Sequence, residues 1–471
     1  MRYLLLFILL LTGWGYAATA QHHHPALPDK SMPAATPAKH TELHQDADDM
    51  PEDMEDIEQD TLSMNRAPMH TMPHFLSRHL PMNRNGSGTG WNADDAPMYM
   101  YMKHTSKWMY MFHGNIFVRY NKQDIGGKGT RGDEQWDVPN MLMGMAQRPV
   151  GQKGLLHFSA MLSAEAFFTG QRGYPLLFQS GESAHGVALV DRQHPHDLFS
   201  ELSASYAYSF NKKTDLYVYV GYPGEPALGP VTFMHRPSGM DNPDAPISHH
   251  WADATHITFG VATLGLRYGK FKIEGSSFTG REPNEDRYDF DKPRFDSRSA
   301  RLSFNPGISW ALQVSHGFIK SPEALHAGED VYRTTASASY SKKLSHEFFV
   351  NATGLWGMNK QQQHTAEHAA LLETSLRMQR LVLYARYEWV QKSEEELNLD
   401  PLIYGTDKAF IVNVLTFGAG YDILHSGPVR TSIGTQFSAF HAKDLEALYG
   451  KNPFSGEVYL RFYPGLMKHR M

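Results

Sequence analysis

The sequence predicts an all-β protein: a transmembrane antiparallel β-barrel of about sixteen strands, preceded by a disordered arm. Three observations lead there. From Met98 onward, apolar and polar residues alternate with a period of two. The breaks in that rhythm are short and long in strict turn. Beyond the first residues, no apolar run approaches the ~18 residues that a membrane helix needs, and a closed barrel is the other way to satisfy backbone groups in lipid.

The chain opens with Met1-Arg2, an apolar run from Tyr3 to Leu11, and Ala18-Thr19-Ala20 before Gln21. This is the layout of a secretory signal peptide over residues 1–20, too short to serve as an anchor. Residues 21–97 are rich in His, Met, Pro, Asp and Glu and poor in β-branched residues, so they read as a disordered arm in the periplasm. An acidic block, Asp46 to Asp60, accounts for more than the formal net charge of −6, and the remainder is close to neutral. That balance excludes a basic nucleic-acid footprint. The chain has no cysteine, which excludes disulfides, thiolate metal sites and a lipidated Cys anchor.

Residues 98–471 form the expected barrel. Ile308, Trp310, Leu312 and Val314 share one face, and Ser309, Ala311, Gln313 and Ser315 the other. Leu381, Leu383, Tyr387 and Trp389 oppose Arg386, Glu388 and Lys392. Similar patterns place Arg119, Glu165, Arg301, Arg333, Glu373, Arg377 and Arg430 on the polar face. Two stretches resist assignment: 216–220 is apolar throughout, and 257–267 fits either parity. Aromatics make up 12% of the chain and gather near strand ends, as interfacial girdles do. Short turns fall near 150–154, 211–214, 268–271, 305–307, 342–345, 379–380 and 426–428, with longer loops between them. Short periplasmic turns and long outer loops, with both termini periplasmic, are the outer-membrane arrangement. The last strand ends near Phe462-Tyr463, and the eight residues that follow depart from the terminal aromatic by which barrel-assembly machinery commonly recognises its clients.

Histidine marks the candidate chemistry. The arm carries His22, His23 and His24, with further His and Met residues, a composition suited to copper, zinc and other transition metals. His194, His196 and Asp197 close one long loop. His235, Asp241, Asp244, His249, His250, Asp253 and His256 lie in the longest. Two such loops can meet in the barrel mouth and set selectivity there, or can simply lock loop geometry through hydrogen bonds. On the first strand Met109, Met111 and His113 share the inward parity, preceded by Met98, Met100 and Met102, which reads either as a thioether path for a soft ion or as adaptable packing. No nucleophile elbow, phosphate loop or metallohydrolase helix motif is present.

The stretches Asp191–Tyr206 (DRQHPHDLFSELSASY) and Phe233–Val261 (FMHRPSGMDNPDAPISHHWADATHITFGV) resemble signatures of a group of porin-like bacterial outer-membrane β-barrel proteins. The resemblance implies a barrel and an association with heavy-metal handling, without an assigned activity. The arm is similar in style to copper-resistance outer-membrane proteins of the CopB type, a likeness of composition alone, and those proteins have smaller barrels.

The expectation is a non-enzymatic outer-membrane barrel that binds or conducts metal ions. The arm would collect copper, zinc or another divalent ion, and the His/Asp loops would form a selective gate. Its partners would be outer-membrane lipid, the assembly machinery, metal ions or small solutes, and a second copy in a homo-oligomer. Two alternatives remain open: a general or organic-solute porin with structural histidines, and an outer-membrane hydrolase using His194, His196 or the His249–His256 group.

Overall fold

The computed structural model describes residues 73–361 and 364–467. The expected signal peptide and most of the expected arm, His22 to His24 included, lie outside the described residues. Sixteen antiparallel strands close on themselves: β1 (Met109–Lys122), β2 (Glu134–Asp137 continued by Asn140–Val150), β3 (Gly154–Leu162), β4 (Phe199–Asn211), β5 (Thr214–Gly221), β6 (Val261–Tyr268), β7 (Phe271–Phe278), β8 (Ser297–Phe304), β9 (Trp310–Ile319), β10 (Val331–Ser345), β11 (Phe348–Gln361), β12 (Glu367–Met378), β13 (Leu381–Ser393), β14 (Ala409–Leu424), β15 (Val429–Ala442) and β16 (Phe454–Pro464). Each strand pairs with its sequence neighbour, and β16 returns to β1 through Ile116↔Phe462 to Lys122↔Gly456. The lower half of that same β1 edge is taken by Tyr101–His104, from Tyr101↔Phe112 to His104↔Met109. The seam therefore has two partners.

Alternation sorts the side chains as lipid requires. In β6, Leu264, Leu266 and Tyr268 point outward, while Thr263 and Arg267 are buried. The ambiguous 257–267 stretch thus begins as a strand only at Val261. Outward Ile273, Leu302, Val314, Leu372, Leu415, Phe417, Ile433, Val458 and Leu460 continue an apolar belt. Tyr208, Phe210, Tyr268, Phe271 and Trp310 cluster at the short-turn ends, the place of an interfacial girdle. The all-apolar 216–220 run resolves into outward Leu216, Val218 and Val220 and inward Tyr217 and Tyr219. The two tyrosines turn polar tips inward, donating to Glu274 Oε1 at 2.6 Å and Glu201 Oε1 at 3.1 Å. Tyr217 lies against Gly265 directly across the ladder, where any Cβ would meet its ring at 2.1 Å.

The inward faces do not line open water. Arg119, Thr335 and Ser375 are 0% exposed, although they belong to β1, β10 and β12. Besides loop 163–198, whose Leu177 and Phe178 are buried in the core, two chain segments fill the lumen around them. The loop 222–260 supplies buried Phe233, Ile247 and Trp251, and Gly357 of β11 permits the Trp251 backbone to approach where a Cβ would lie 2.1 Å from its oxygen. The second segment corrects an expectation. Residues 73–97, assigned by composition to the disordered arm, are threaded into the barrel. Phe75 and Leu76 pack on Leu155, Ala207 and Tyr217. Lys272 Nζ and Arg84 each sit 4.8 Å above the Trp91 ring, and Arg301 donates to Thr89 Oγ1 at 2.8 Å. The segment has no valine or isoleucine and no regular strand of its own; it is ordered by apolar and polar contacts with the barrel wall.

An arginine at outward Leu264 should cost about 2–4 kcal/mol near the bilayer midplane, read by denaturant unfolding in phospholipid vesicles. Deleting residues 73–97 should raise single-channel conductance in planar bilayers while the barrel keeps its heat-modifiable electrophoretic mobility.

Candidate functional site

Charge pairing sets the frame of the site. Loop 222–260 carries Asp241, Asp244 and Asp253, and the wall answers with arginines. Asp244 accepts from Arg119 Nη1 at 2.6 Å and from Gln436 Nε2 at 2.8 Å. Asp241 accepts from Arg377 at 3.2 Å and from Arg461. Arg236, itself a loop residue, bridges Asp253 and wall Glu373, each at 2.7 Å. Asp241 and Asp244 thus anchor the loop and leave no free oxygen pair for an ion. Loop 163–198 is held similarly, with Arg287 Nη2 3.1 Å from Glu182 and Nη1 3.7 Å from Asp197. Burial pushes the Asp197 carboxyl up to about 7.

Within this frame five of the histidines expected from sequence converge. The ring of His249 lies 5.5 Å from His250 and 5.0 Å from His256; His256 lies 5.3 Å from His196; His194 lies 6.0 Å from His196 and 6.2 Å from His250. One helical turn, His249–Ala252, and the 3-10 turn that follows it produce half of this geometry. Spacing of i,i+4 sets His249 Nδ1 2.6 Å from Asp253 Oδ1, and three residues further on His256 Nδ1 reaches the Asp253 carbonyl at 3.0 Å. From the other loop, His196 Nδ1 meets Glu165 Oε2 at 2.7 Å, and His194 Nε2 meets Glu182 Oε1 at 3.2 Å. Gly181 lets His250 settle against the backbone, where a Cβ would stand 2.5 Å from its Nδ1.

An imidazole whose Nδ1–H is given to a carboxylate or carbonyl presents its Nε2 lone pair, the arrangement that supports metal-ligating histidines. His196 and His256 have that arrangement, and the Nε2 atoms of His196, His250 and His256 are buried without a hydrogen-bond partner. Burial holds His194, His250 and His256 well below the usual imidazole range, which favours the neutral form that ligates. For His196 burial acts the same way, but the Glu165 carboxylate outweighs it and the shift is upward. Asp253 goes down: burial opposes this, and His249 with Arg236 overcomes it.

Sequence reasoning left out Glu165, Glu182 and Glu282 as supporting groups. Glu165 was placed on a strand face, whereas it opens the helical turn Glu165–Phe168 beyond β3. His235 does not join the cluster. Its ring lies 5.4 Å from that of His113, which approaches Met143 Sδ at 3.0 Å, and burial pushes His235 down to about 3. Met109 and Met111 are buried beside these groups.

Above the histidines a cavity of about 450 Å³ opens, lined in part by His250, Glu182, Glu282, Glu323, Glu367 and Glu396. Glu282 and Glu323 are held well above the usual carboxylate range, first by burial and then by neighbouring glutamates. Among the described residues, His326, Glu329 and Glu395 are the group whose ligand atoms all lie within 4.8 Å of one another. The buried histidines are spread more widely, as adjacent stations and not one closed shell.

No protein-family model matches the sequence, and no curated protein matches it. Solved structures similar to it are outer-membrane proteins. OmpF of Salmonella typhi shares 9% identity over 77% of this chain and 100% of its own, with a TM-score of 0.49. An anion-selective porin from Comamonas acidovorans shares 9% over 76% and 99%, at 0.43. The outer membrane channel DcaP of Acinetobacter baumannii shares 8% over 78% and 100%, at 0.41. The chain is a closed sixteen-strand antiparallel β-barrel. At these identities the likeness says nothing of what passes through it, and the closed ladder itself establishes the architecture.

Replacing Arg236 by Ala should destabilise the protein by about 3–5 kcal/mol, because Asp253 loses its buried cation. The loop 222–260 should become cleavable by added protease in the folded barrel.

Proposed function

We propose that this protein is an outer-membrane channel for transition-metal ions, with the two inward-folded loops as its selective gate. One observation carries the reading: five histidines from two distant loops meet in the lumen, and three of them hold an unpartnered, buried Nε2. A buried polar atom left unpaired costs about 1–3 kcal/mol, and imidazole nitrogen suits Zn, Cu, Ni and Co. The wide ring spacing favours passage over storage, since conduction needs sites that bind and release in succession. The glutamate-lined cavity above would gather cations at the mouth, and the His/Met arm would meet them in the periplasm. The hydrolase alternative gains no support from the geometry: the cluster imidazoles bond carboxylate, carbonyl and amide groups, and no hydroxyl nucleophile stands against them among the described residues.

The porin alternative, in which the histidines only fix the loops, makes the opposite prediction in a binding experiment. Zinc or cupric ion titrated calorimetrically into the detergent-solubilised protein should bind. The Glu165→Gln variant should bind about 10–100-fold more weakly, as when a supporting partner of a metal ligand is lost. The pair His249→Ala with His256→Ala should remove the site. Unchanged binding in the double variant, with bilayer conductance indifferent to chelator, would reject the metal reading in favour of the porin.

A further inference from the structure

Where the chain enters the barrel at its short-turn end, a second cluster is built differently. Met82, Met98, Met109 and Met111 are buried together, with Met100, Met102, Met145 and Met467 packed against them. All eight apolar members are methionine. Another core of the same barrel shows what ordinary packing looks like here: Tyr219, Leu228, Val261, Phe278, Ile319 and Val331. Hydrophobic cores are filled mainly by Leu, Ile, Val and Phe, with Met used sparingly to close gaps. About a third of the chain's 23 methionines occupying one cluster calls for another cause.

Register supplies it. Met111 of β1 pairs across one ladder with Met102 and across the other with Met145, so three thioethers stand at one level of the inward wall. One step along β1 on the same face, His113 pairs with Met143, and its Nε2 lies 3.0 Å from that Sδ. His235 faces it at 5.4 Å. The set combines sulfur and imidazole, with no carboxylate in the cluster. Such donors favour soft, monovalent d10 cations over divalent ones, which prefer nitrogen and oxygen.

We propose that Met102, Met111 and Met145, with His113 and Met143 beside them, form a binding site for a soft monovalent cation such as Cu(I) or Ag(I). It is separate from the histidine cluster in both place and chemistry, and the assignment holds whether or not that cluster binds an ion. Binding is coordination alone, with no electron transferred and no bond broken.

Silver ion is the probe, because it is redox-inert and strongly thiophilic. Full-length protein in detergent is equilibrated with Ag(I), passed through a desalting column and analysed for bound metal, with X-ray absorption reading the ligand atoms. The test variant is Met102→Leu, Met111→Leu and Met145→Leu together, a near-isosteric change that cores tolerate. Should the triple variant fail to form a heat-modifiable barrel, Met111→Leu alone is used. The expected result is loss of one Ag(I) equivalent or at least about ten-fold weaker binding at that site, with zinc binding unchanged. The His249→Ala, His256→Ala variant should keep this silver equivalent, which separates failure here from failure of the proposed channel function. Equal silver uptake by wild type and the folded methionine variant, or absence of sulfur scattering from bound silver, would overturn the assignment.

Discussion

Pairing between loop carboxylates and wall arginines holds the interior of this barrel together. An arginine on an inward strand face is expensive to bury alone, and so is an aspartate on an irregular loop; together they offset each other's desolvation. Arg119 shows the economy of the arrangement. A single guanidinium, fully buried, is shared by Asp137 of β2, Asp244 of the long loop and Glu457 of β16. Two strands across the seam and the plug are therefore tied at one point. Arg236 does the same in reverse, carrying a loop cation to wall Glu373. These pairs act together with the apolar packing of Phe178, Ile247 and Trp251 on the wall to hold the loops in the lumen, where the histidines meet.

The barrel was legible because lipid imposes its own rule on the sequence. Outward positions must be apolar and inward ones are released from that demand, so alternation appears in β9, β13 and β16 without ambiguity. It failed where an inward residue was itself largely apolar. Tyr217 and Tyr219 count as hydrophobic in any pattern, yet their hydroxyls are what face Glu274 and Glu201. The segment 73–97 was hidden for a related reason. Its Asn, Gly and Pro look like linker composition, and only the waiting partners, Lys272, Arg301 and Asn305, turn it into structure.

For the site, residue types were legible and groupings were not. Histidine and aspartate density marked the right two loops, and the i,i+4 relation of His249 to Asp253 is a local fact. Which aspartates would be taken by arginine, and that His235 would leave its neighbours for His113, depends on strands far away in sequence. The methionine cluster is the plainest case. Met109 and Met111 declare themselves by parity, as do Met143 and Met145 on β2, but Met82 and Met467 come from two other segments and have no pattern of their own, and the pairing of the two strands is not written in either one.

The double occupancy of the β1 edge bears on how this molecule is made. Tyr101–His104 completes the ladder that β16 leaves unfinished, so the segment that leads out of the lumen into β1 is also part of its closing suture. The stopper is continuous with that suture. Trimming the chain into residues 101–104 would leave the β1 edge from Met109 to Phe112 without its ladder partner. The ladder, as much as the lumen, thus limits how far the residues before β1 can be removed.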